Sequence, residues 1–134
     1  GSSDVCSSDL NIEAMTTLDM STMDIIPAVI KYKGDVAKSA NESLALGVEA
    51  DEEKEIVKTL AALLATAKKD VERLRHALKT AHEKGENIEG AKCYHDDVLS
   101  AMDALRATCD EMELNTAKEY WPLPSYGDLL FSIH

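Results

Sequence analysis

Apolar positions recur every three or four residues through three long stretches of this 134-residue chain, which predicts three amphipathic helices. The second stretch runs from about Asp51 to Lys84, and its repeating positions are Ile56, Leu60, Leu63, Ala67, Val71, Leu74, Leu78 and Ala81. The third runs from about Ile88 to Lys118, with Ala91, His95, Val98, Met102, Leu105, Cys109 and Met112. Alternating steps of four and three are close to a coiled-coil seam, so each helix is expected to pack against a partner helix.

The first helical stretch is predicted from residue 11 to about residue 45. Pro27 lies inside its apolar repeat, which continues on both sides of the proline. We therefore expect one long helix that kinks at Pro27, rather than a new helix that begins near Asp24. Gly47 is the predicted stop. One buried face is expected, formed by Ile12, Met15, Leu18, Ile25, Ile26, Val29, Ile30, Val36 and Ala40.

The second and third helices are separated by only a short polar turn, so we expect them to pack antiparallel. With the first stretch they predict an all-α fold, an antiparallel three-helix bundle over residues 11–120 with a kinked first helix. Residues 121–134 would follow as an extended C-terminal tail.

The first ten residues do not fit this pattern. They have neither the basic region nor the apolar region of a signal peptide. Their sequence resembles a translated sequencing adapter, so we expect residues 1–10 to be an artefact, with a disordered leader as the alternative. Without them the formal net charge changes from −11 to −9, because they contain Asp4 and Asp9.

The tail concentrates aromatic residues and proline, and it holds the single Trp and the single Phe of the chain. Pro122 and Pro124 favour an extended backbone at the residues before them, so the preceding helix is expected to stop near Tyr120. Exposing so many large apolar side chains to water is costly. We interpret the tail as a docking element, either on its own helices or on a larger body outside this chain. The candidate docking residues are Trp121, Pro122, Pro124, Tyr126, Gly127, Leu129, Leu130 and Phe131.

Composition and charge exclude several functions. Ala and Leu dominate while aromatic residues make up only 4%, which favours helices. A net charge of −11 argues against nucleic-acid binding. The longest apolar run, 60–65, is far too short to span a membrane. Three scattered cysteines without a metal-binding spacing suit a reducing cytoplasm.

No catalytic, cofactor-binding or metal-binding residue is predicted. His95, Asp96 and Asp97 are neighbours on a helix and point in different directions, so they cannot converge on one ion. The Glu-x-x-His pairs of di-iron bundles are missing, and Glu72 and His76 are explained by a surface pair. Two further sets are interpreted without chemistry. Asp110, Glu111 and Glu113 are interpreted as a solvated face, and the five methionines as core filler, namely Met15, Met20, Met23, Met102 and Met112.

The segment 120–131, Tyr-Trp-Pro-Leu-Pro-Ser-Tyr-Gly-Asp-Leu-Leu-Phe, closely resembles the C-terminal signature of type III glutamine synthetases. Segments 11–15, 26–29 and 100–106 also resemble parts of that family, so the resemblance spans about residues 11–134. It implies an ATP-dependent ligase that joins ammonia to glutamate with the help of divalent metals, in subunits stacked as two hexameric rings. ATP and metal would bind to a catalytic core that precedes this segment.

By this resemblance the chain is a C-terminal fragment with structural and assembly roles, inactive alone, whose partners are its own catalytic core and neighbouring subunits. The alternative is a stand-alone helical interaction module that uses its tail to bind a partner. A metal-containing bundle enzyme is a third possibility, which the missing Glu-x-x-His pairs disfavour.

Overall fold

The computed structural model describes the backbone of residues 2–84 and 88–124, and the side chains of residues 9–83 and 95–124. Within these ranges all regular structure is helical, so the all-α prediction is confirmed. The elements, in chain order, are α1 (Ser2–Asp19), a π-helix (Met20–Ile25), α2 (Ile26–Ala45), α3 (Asp51–Lys84), α4 (Ile88–Asn115) and a 3-10 helix (Lys118–Tyr120).

The first two α-helices and the π-helix form one uninterrupted helical stretch. The backbone at Asp19 and Ile26 stays in the right-handed helical region, and the Ile26 N–H donates to the Ser21 carbonyl, five residues back. Pro27 falls in the first turn of α2, where its missing N–H and fixed φ are tolerated. Helical structure thus continues through Pro27. The change in helix type lies before the proline, where the π-helix is a short insertion within a longer helical stretch.

α1 begins at Ser2 and not near residue 11, which corrects the expected start. The disordered alternative for residues 1–10 is therefore wrong for residues 2–10, which are helical. Leu10 is buried and belongs to the hydrophobic core. The proposed adapter origin of this segment stays a prediction.

The buried face of the first helical stretch differs from the expected one. Ile25, Val29 and Ala40 are buried as predicted, and Leu18 and Ile26 pack against the core. Ile12, Met15 and Ile30 are instead exposed. Smaller residues replace them in the interior, because they allow neighbouring helices to approach closely, namely Ala14, Thr17 and Ser21.

α2 ends at Ala45, and Gly47 is the predicted stop just beyond it. Gly47 has φ of +78°, in the left-handed region that residues with a Cβ rarely adopt. Its N–H donates to the Leu44 carbonyl at 3.0 Å, and the Val48 N–H donates to the Ser43 carbonyl at 3.0 Å. These two bonds form a Schellman motif, which satisfies carbonyls at the end of the helix.

α3 and α4 supply most of the described core, largely at the positions that the apolar repeat predicts. Ala77 and Ala101 are buried in addition, and the predicted Ala91 lies outside the described side chains. On α3 the Asp70 carboxylate accepts a 2.5 Å hydrogen bond from the Thr108 hydroxyl of α4. Arg73 of α3 donates to the Ser100 hydroxyl of α4 at 2.9 Å. Along α3 Asp70 comes before Arg73, whereas along α4 the partner of Arg73 comes before the partner of Asp70. The side chains that are fully buried between the helices include Leu60, Leu74, Val98, Met102, Leu105 and Met112.

The methionines divide into two groups. Met102 and Met112 are buried and fill the core as predicted. Met15, Met20 and Met23 are exposed, so the core-filler interpretation is wrong for them. All three lie on the first helical stretch. Small residues occupy the buried face of that stretch, so its large side chains point to the outside.

Candidate functional site

The chain reverses direction after α4 and returns to the helices. The Tyr120 N–H donates to the Ala117 carbonyl at 2.9 Å, and the Trp121 N–H donates to the Lys118 carbonyl at 3.1 Å, which closes the 3-10 turn. Trp121 is extended, with φ of −74° and ψ of 122°. The 3-10 turn ends at Tyr120, ahead of Pro122. The α-helix itself ends earlier than predicted, at Asn115 instead of near Lys118 to Tyr120, because the backbone leaves helical geometry at Ala117, with ψ of 138°.

Tyr120 attaches this segment to α2. Its phenol donates a 2.6 Å hydrogen bond to the Asp35 carboxylate, and its ring lies 5.0 Å from the ring of Tyr32, tilted by 51°. The bond to Asp35 is the main cause that raises the pKa of Tyr120 above its ordinary value of 10.0. We call Tyr32, Asp35 and Tyr120 the Tyr120 contact.

Loss of the Tyr120 contact is expected to release the segment that carries Trp121. In Tyr120→Phe the ring contact stays but the hydrogen bond to Asp35 is lost, so Trp121 emission should shift to the red at neutral pH. The pKa of Tyr120 is higher in the docked state than in the free state. The contribution of this hydrogen bond to docking is therefore fully present below about pH 10 and is lost as the pH rises through the raised pKa.

A pH titration of Trp121 emission measures both effects. The wild type should show an alkaline red shift in emission that Tyr120→Phe lacks. Asp35→Ala keeps the Tyr120 phenol and is the control for quenching of Trp121 by an ionised tyrosine. Such quenching lowers the emission intensity without shifting the emission maximum. An alkaline shift of equal size in Tyr120→Phe would contradict the assignment.

A cleft of about 440 Å³ lies between the first helical stretch and α4, and the returning segment lines part of it. Charged residues form its rim, namely the exposed Glu13, Arg106 and Asp110 and the half-buried Glu113. Its apolar lining consists of Ile12, Met20, Ile25, Trp121, Leu123 and Pro124. We call this feature the α1–α4 cleft. The expectation that Asp110 and Glu113 are only part of a solvated face is thus incomplete, because both border the cleft.

Ser21 and Cys109 form the buried floor of the α1–α4 cleft. Their Oγ and Sγ atoms lie 3.4 Å apart, and the Ser21 hydroxyl donates to the Thr17 carbonyl at 2.7 Å. Burial is the main cause that raises the pKa of the Cys109 thiol, and the charges of Asp110 and Asp70 act in the same direction. The thiol is therefore protonated at neutral pH, and neither side chain has the activation that a nucleophile requires.

No three His, Cys, Asp or Glu side chains come together as a metal site within the described residues. His95 is half-buried while Asp96 and Asp97 are exposed, and Glu72 and His76 are both exposed. None of the helices in the described part of the chain is both long and apolar enough to cross a bilayer.

The predicted docking residues divide between two settings. Trp121 is half-buried and packs against the core of its own chain, together with Leu123. Pro122 and Pro124 are exposed, and Pro124 lines the α1–α4 cleft. The remaining candidates lie outside the described residues, namely Tyr126, Gly127, Leu129, Leu130 and Phe131.

Two features escaped the sequence interpretation. The Tyr120 contact joins residues that are 85 positions apart, and no local pattern links them. The floor of the cleft had a detectable signal, since Ala14, Thr17 and Ser21 follow each other at steps of three and four. Such a row of small residues indicates that two helices approach closely. A prediction based on large apolar residues does not detect it.

Comparison with known proteins finds similarity to glutamine synthetases over nearly the whole chain. A glutamine synthetase of Butyrivibrio fibrisolvens is 31% identical over 129 residues, which cover 95% of this chain and 18% of that protein. A glutamine synthetase of Bacteroides fragilis is 26% identical over 129 residues, which cover 92% of this chain and 18% of that protein. The chain thus spans about a fifth of the length of these relatives. No protein-family model matches the chain, and no solved structure matches it.

Proposed function

We propose that this chain is the C-terminal helical part of a type III glutamine synthetase, an ATP-dependent ligase that forms glutamine from glutamate and ammonia. The observation that carries the proposal is the similarity over 92–95% of this chain to only 18% of each relative. The segment 120–131, which resembles the C-terminal signature of that family, supports the position within the enzyme. We also propose a cytoplasmic location, which the scattered cysteines support.

The chemistry of the reaction is assigned to the remainder of the enzyme. The divalent metal ions of the reaction need clustered acidic or imidazole ligands, and within the described residues no such group of three occurs. The floor of the α1–α4 cleft holds a protonated thiol and a hydroxyl without a base, which do not fit a ligase site. We therefore propose a structural role for this part, as an antiparallel three-helix bundle that packs against the catalytic core or neighbouring subunits of a double hexameric ring.

An apolar surface on the first helical stretch supports the structural role. Met15, Met23 and Ile30 are 60%, 74% and 50% exposed. Met23 and Ile30 are seven residues apart, close to two α-helical turns, and the eight residues from Met15 to Met23 pass into the wider turns of the π-helix. We call these three residues the outer stripe. Large apolar side chains that recur on one exposed side of a helix are typical of a packing surface. We place the contact with the rest of the enzyme here, because Trp121 already packs against its own core.

Charged residues in the outer stripe are expected to disrupt assembly of the complete enzyme. Met23→Glu combined with Ile30→Glu would place two carboxylates in an apolar interface, where burial without a partner is costly. Light scattering after size-exclusion chromatography should show smaller species, and glutamine formation should fall with them. Leu114→Glu is the matched control, because Leu114 is also an exposed apolar residue but lies on α4 and does not belong to the outer stripe. Unchanged assembly of the double variant would contradict the structural role of this surface.

The proposal that this chain is part of a glutamine synthetase is tested on the source DNA. A long sequencing read across the codons for residues 1–11 should show an open frame that continues upstream into a catalytic core. The isolated chain of residues 11–134 should form no glutamine from glutamate, ATP and ammonia. A start codon with a ribosome-binding site at this place would instead favour a stand-alone helical interaction module.

A further inference from the structure

The α1–α4 cleft is only partly covered by the described chain. Trp121, Leu123 and Pro124 line it, and Trp121 and Leu123 pack against the core. Met20 and Ile12 also line the cleft, yet they remain 37% and 63% exposed. Part of the apolar lining of the cleft is therefore packed against the core, and part of it remains exposed.

The returning segment enters the cleft in a defined direction. Tyr120 is held on α2 by Tyr32 and Asp35. Four residues later, Pro124 lines a cleft whose helical wall extends from Ile12 to Ile25, on the N-terminal side of Tyr32. The segment thus runs back along the first helical stretch, towards the beginning of α1, and Pro124 already lies within the cleft.

The length of the open wall matches the chain that follows. Thirteen residues separate Ile12 from Ile25, which corresponds to about 20 Å along a helix at roughly 1.5 Å per residue. Ten residues follow Pro124 in the sequence, and an extended segment of this size reaches about 33 Å at roughly 3.3 Å per residue. Residues 125–134 are thus long enough to cover the wall completely.

The chemical character of residues 125–134 also matches that of the cleft. Residues 125–134 contain one acidic residue, Asp128, and five large apolar or aromatic residues, namely Tyr126, Leu129, Leu130, Phe131 and Ile133. The cleft offers an apolar lining, and among the described residues that line it Arg106 is the one basic residue. The acidic rim disfavours a strongly acidic partner, whereas this segment carries a single carboxylate side chain.

We propose that the α1–α4 cleft is the docking site of residues 125–134 of the same chain. The segment continues the path of Trp121, Leu123 and Pro124 and covers the exposed apolar lining around Met20 and Ile12. This inference goes beyond the proposed function and does not rest on it, because it concerns a surface other than the outer stripe.

Hydrogen exchange on the full-length chain tests the proposal. In the wild type the amides of residues 126–131 should exchange at least about tenfold more slowly than in an unstructured peptide of the same sequence. The reason is that a docked segment is released from the cleft only for a small fraction of the time. Met20→Glu, which places a carboxylate in the cleft, should abolish most of this protection. Met23→Glu is the matched control and should keep it, because Met23 belongs to the outer stripe and does not line the cleft.

A second readout keeps the test independent of any one variant. Chymotrypsin should cleave after Tyr126 and Phe131 slowly in the wild type and in Met23→Glu, but rapidly in Met20→Glu and Ile12→Glu. Circular dichroism should show full helicity in all four proteins. Wild-type amides without protection, or protection that Met20→Glu and Ile12→Glu leave intact, would overturn the proposal. Protection that disappears on dilution would assign the cleft to the tail of a second copy and would also overturn it.

Discussion

Leu74→Ala is expected to lower the free energy of unfolding by about 2–5 kcal/mol, the range for removing a fully buried leucine side chain from a core. Leu74 is 0% exposed on α3 and belongs to the same core cluster as Met102 and Leu105 of α4. The substitution removes apolar contacts and leaves a cavity that two long, packed helices cannot easily close. Because small domains are stable by only about 5–15 kcal/mol, a substantial part of the total stability should be lost. Urea denaturation followed by circular dichroism measures the change.

Leu114→Ala is the matched control for this prediction. Leu114 lies on α4 and is 79% exposed, so the same truncation should change the free energy of unfolding by no more than about 0.5 kcal/mol. Equal effects of the two substitutions would show that α3 and α4 do not pack through Leu74. The comparison therefore tests the helix pairing and not merely the sensitivity of the chain to mutation.

Ser21→Leu is expected to destabilise the protein by about 1–3 kcal/mol, the usual cost of overfilling a packed interior. The Ser21 hydroxyl is almost fully buried and lies 3.4 Å from the Cys109 sulfur. A leucine side chain at this position has to push the first helical stretch away from α4. Thermal unfolding should report the loss, and Ser39→Leu is the matched control, because Ser39 is exposed on α2.

A double variant separates steric strain from other effects of Ser21→Leu. Cys109→Ala removes the sulfur that the new side chain meets, so it should recover part of the stability when combined with Ser21→Leu. Residues in contact typically show coupling energies of about 0.5–3 kcal/mol, whereas distant residues show additive effects. Strict additivity of the two substitutions would contradict direct packing of Ser21 on Cys109.

The outer stripe explains why the first helical stretch misled the sequence interpretation. Its large apolar residues occupy more than one side of the helix, and periodicity cannot tell which side faces the interior of the chain. The structure selects the side with Ala14, Thr17 and Ser21, because small residues let α1 approach α4. The large residues that remain outside, Met15 and Met23 among them, then form the surface that we assign to the rest of the enzyme.

The sequence by itself determined the helical class, the bounds of α3, the core positions of α3 and α4, and the helix stop at Gly47. These features depend on short-range periodicity and on backbone preferences, which residues a few positions apart specify. Tertiary structure alone decided the buried side of α1, the π-helix before Pro27, the Tyr120 contact and the α1–α4 cleft. Each of these depends on the distance between helices or on partners such as Asp35 and Tyr120, 85 residues apart, and no local pattern encodes such a distance.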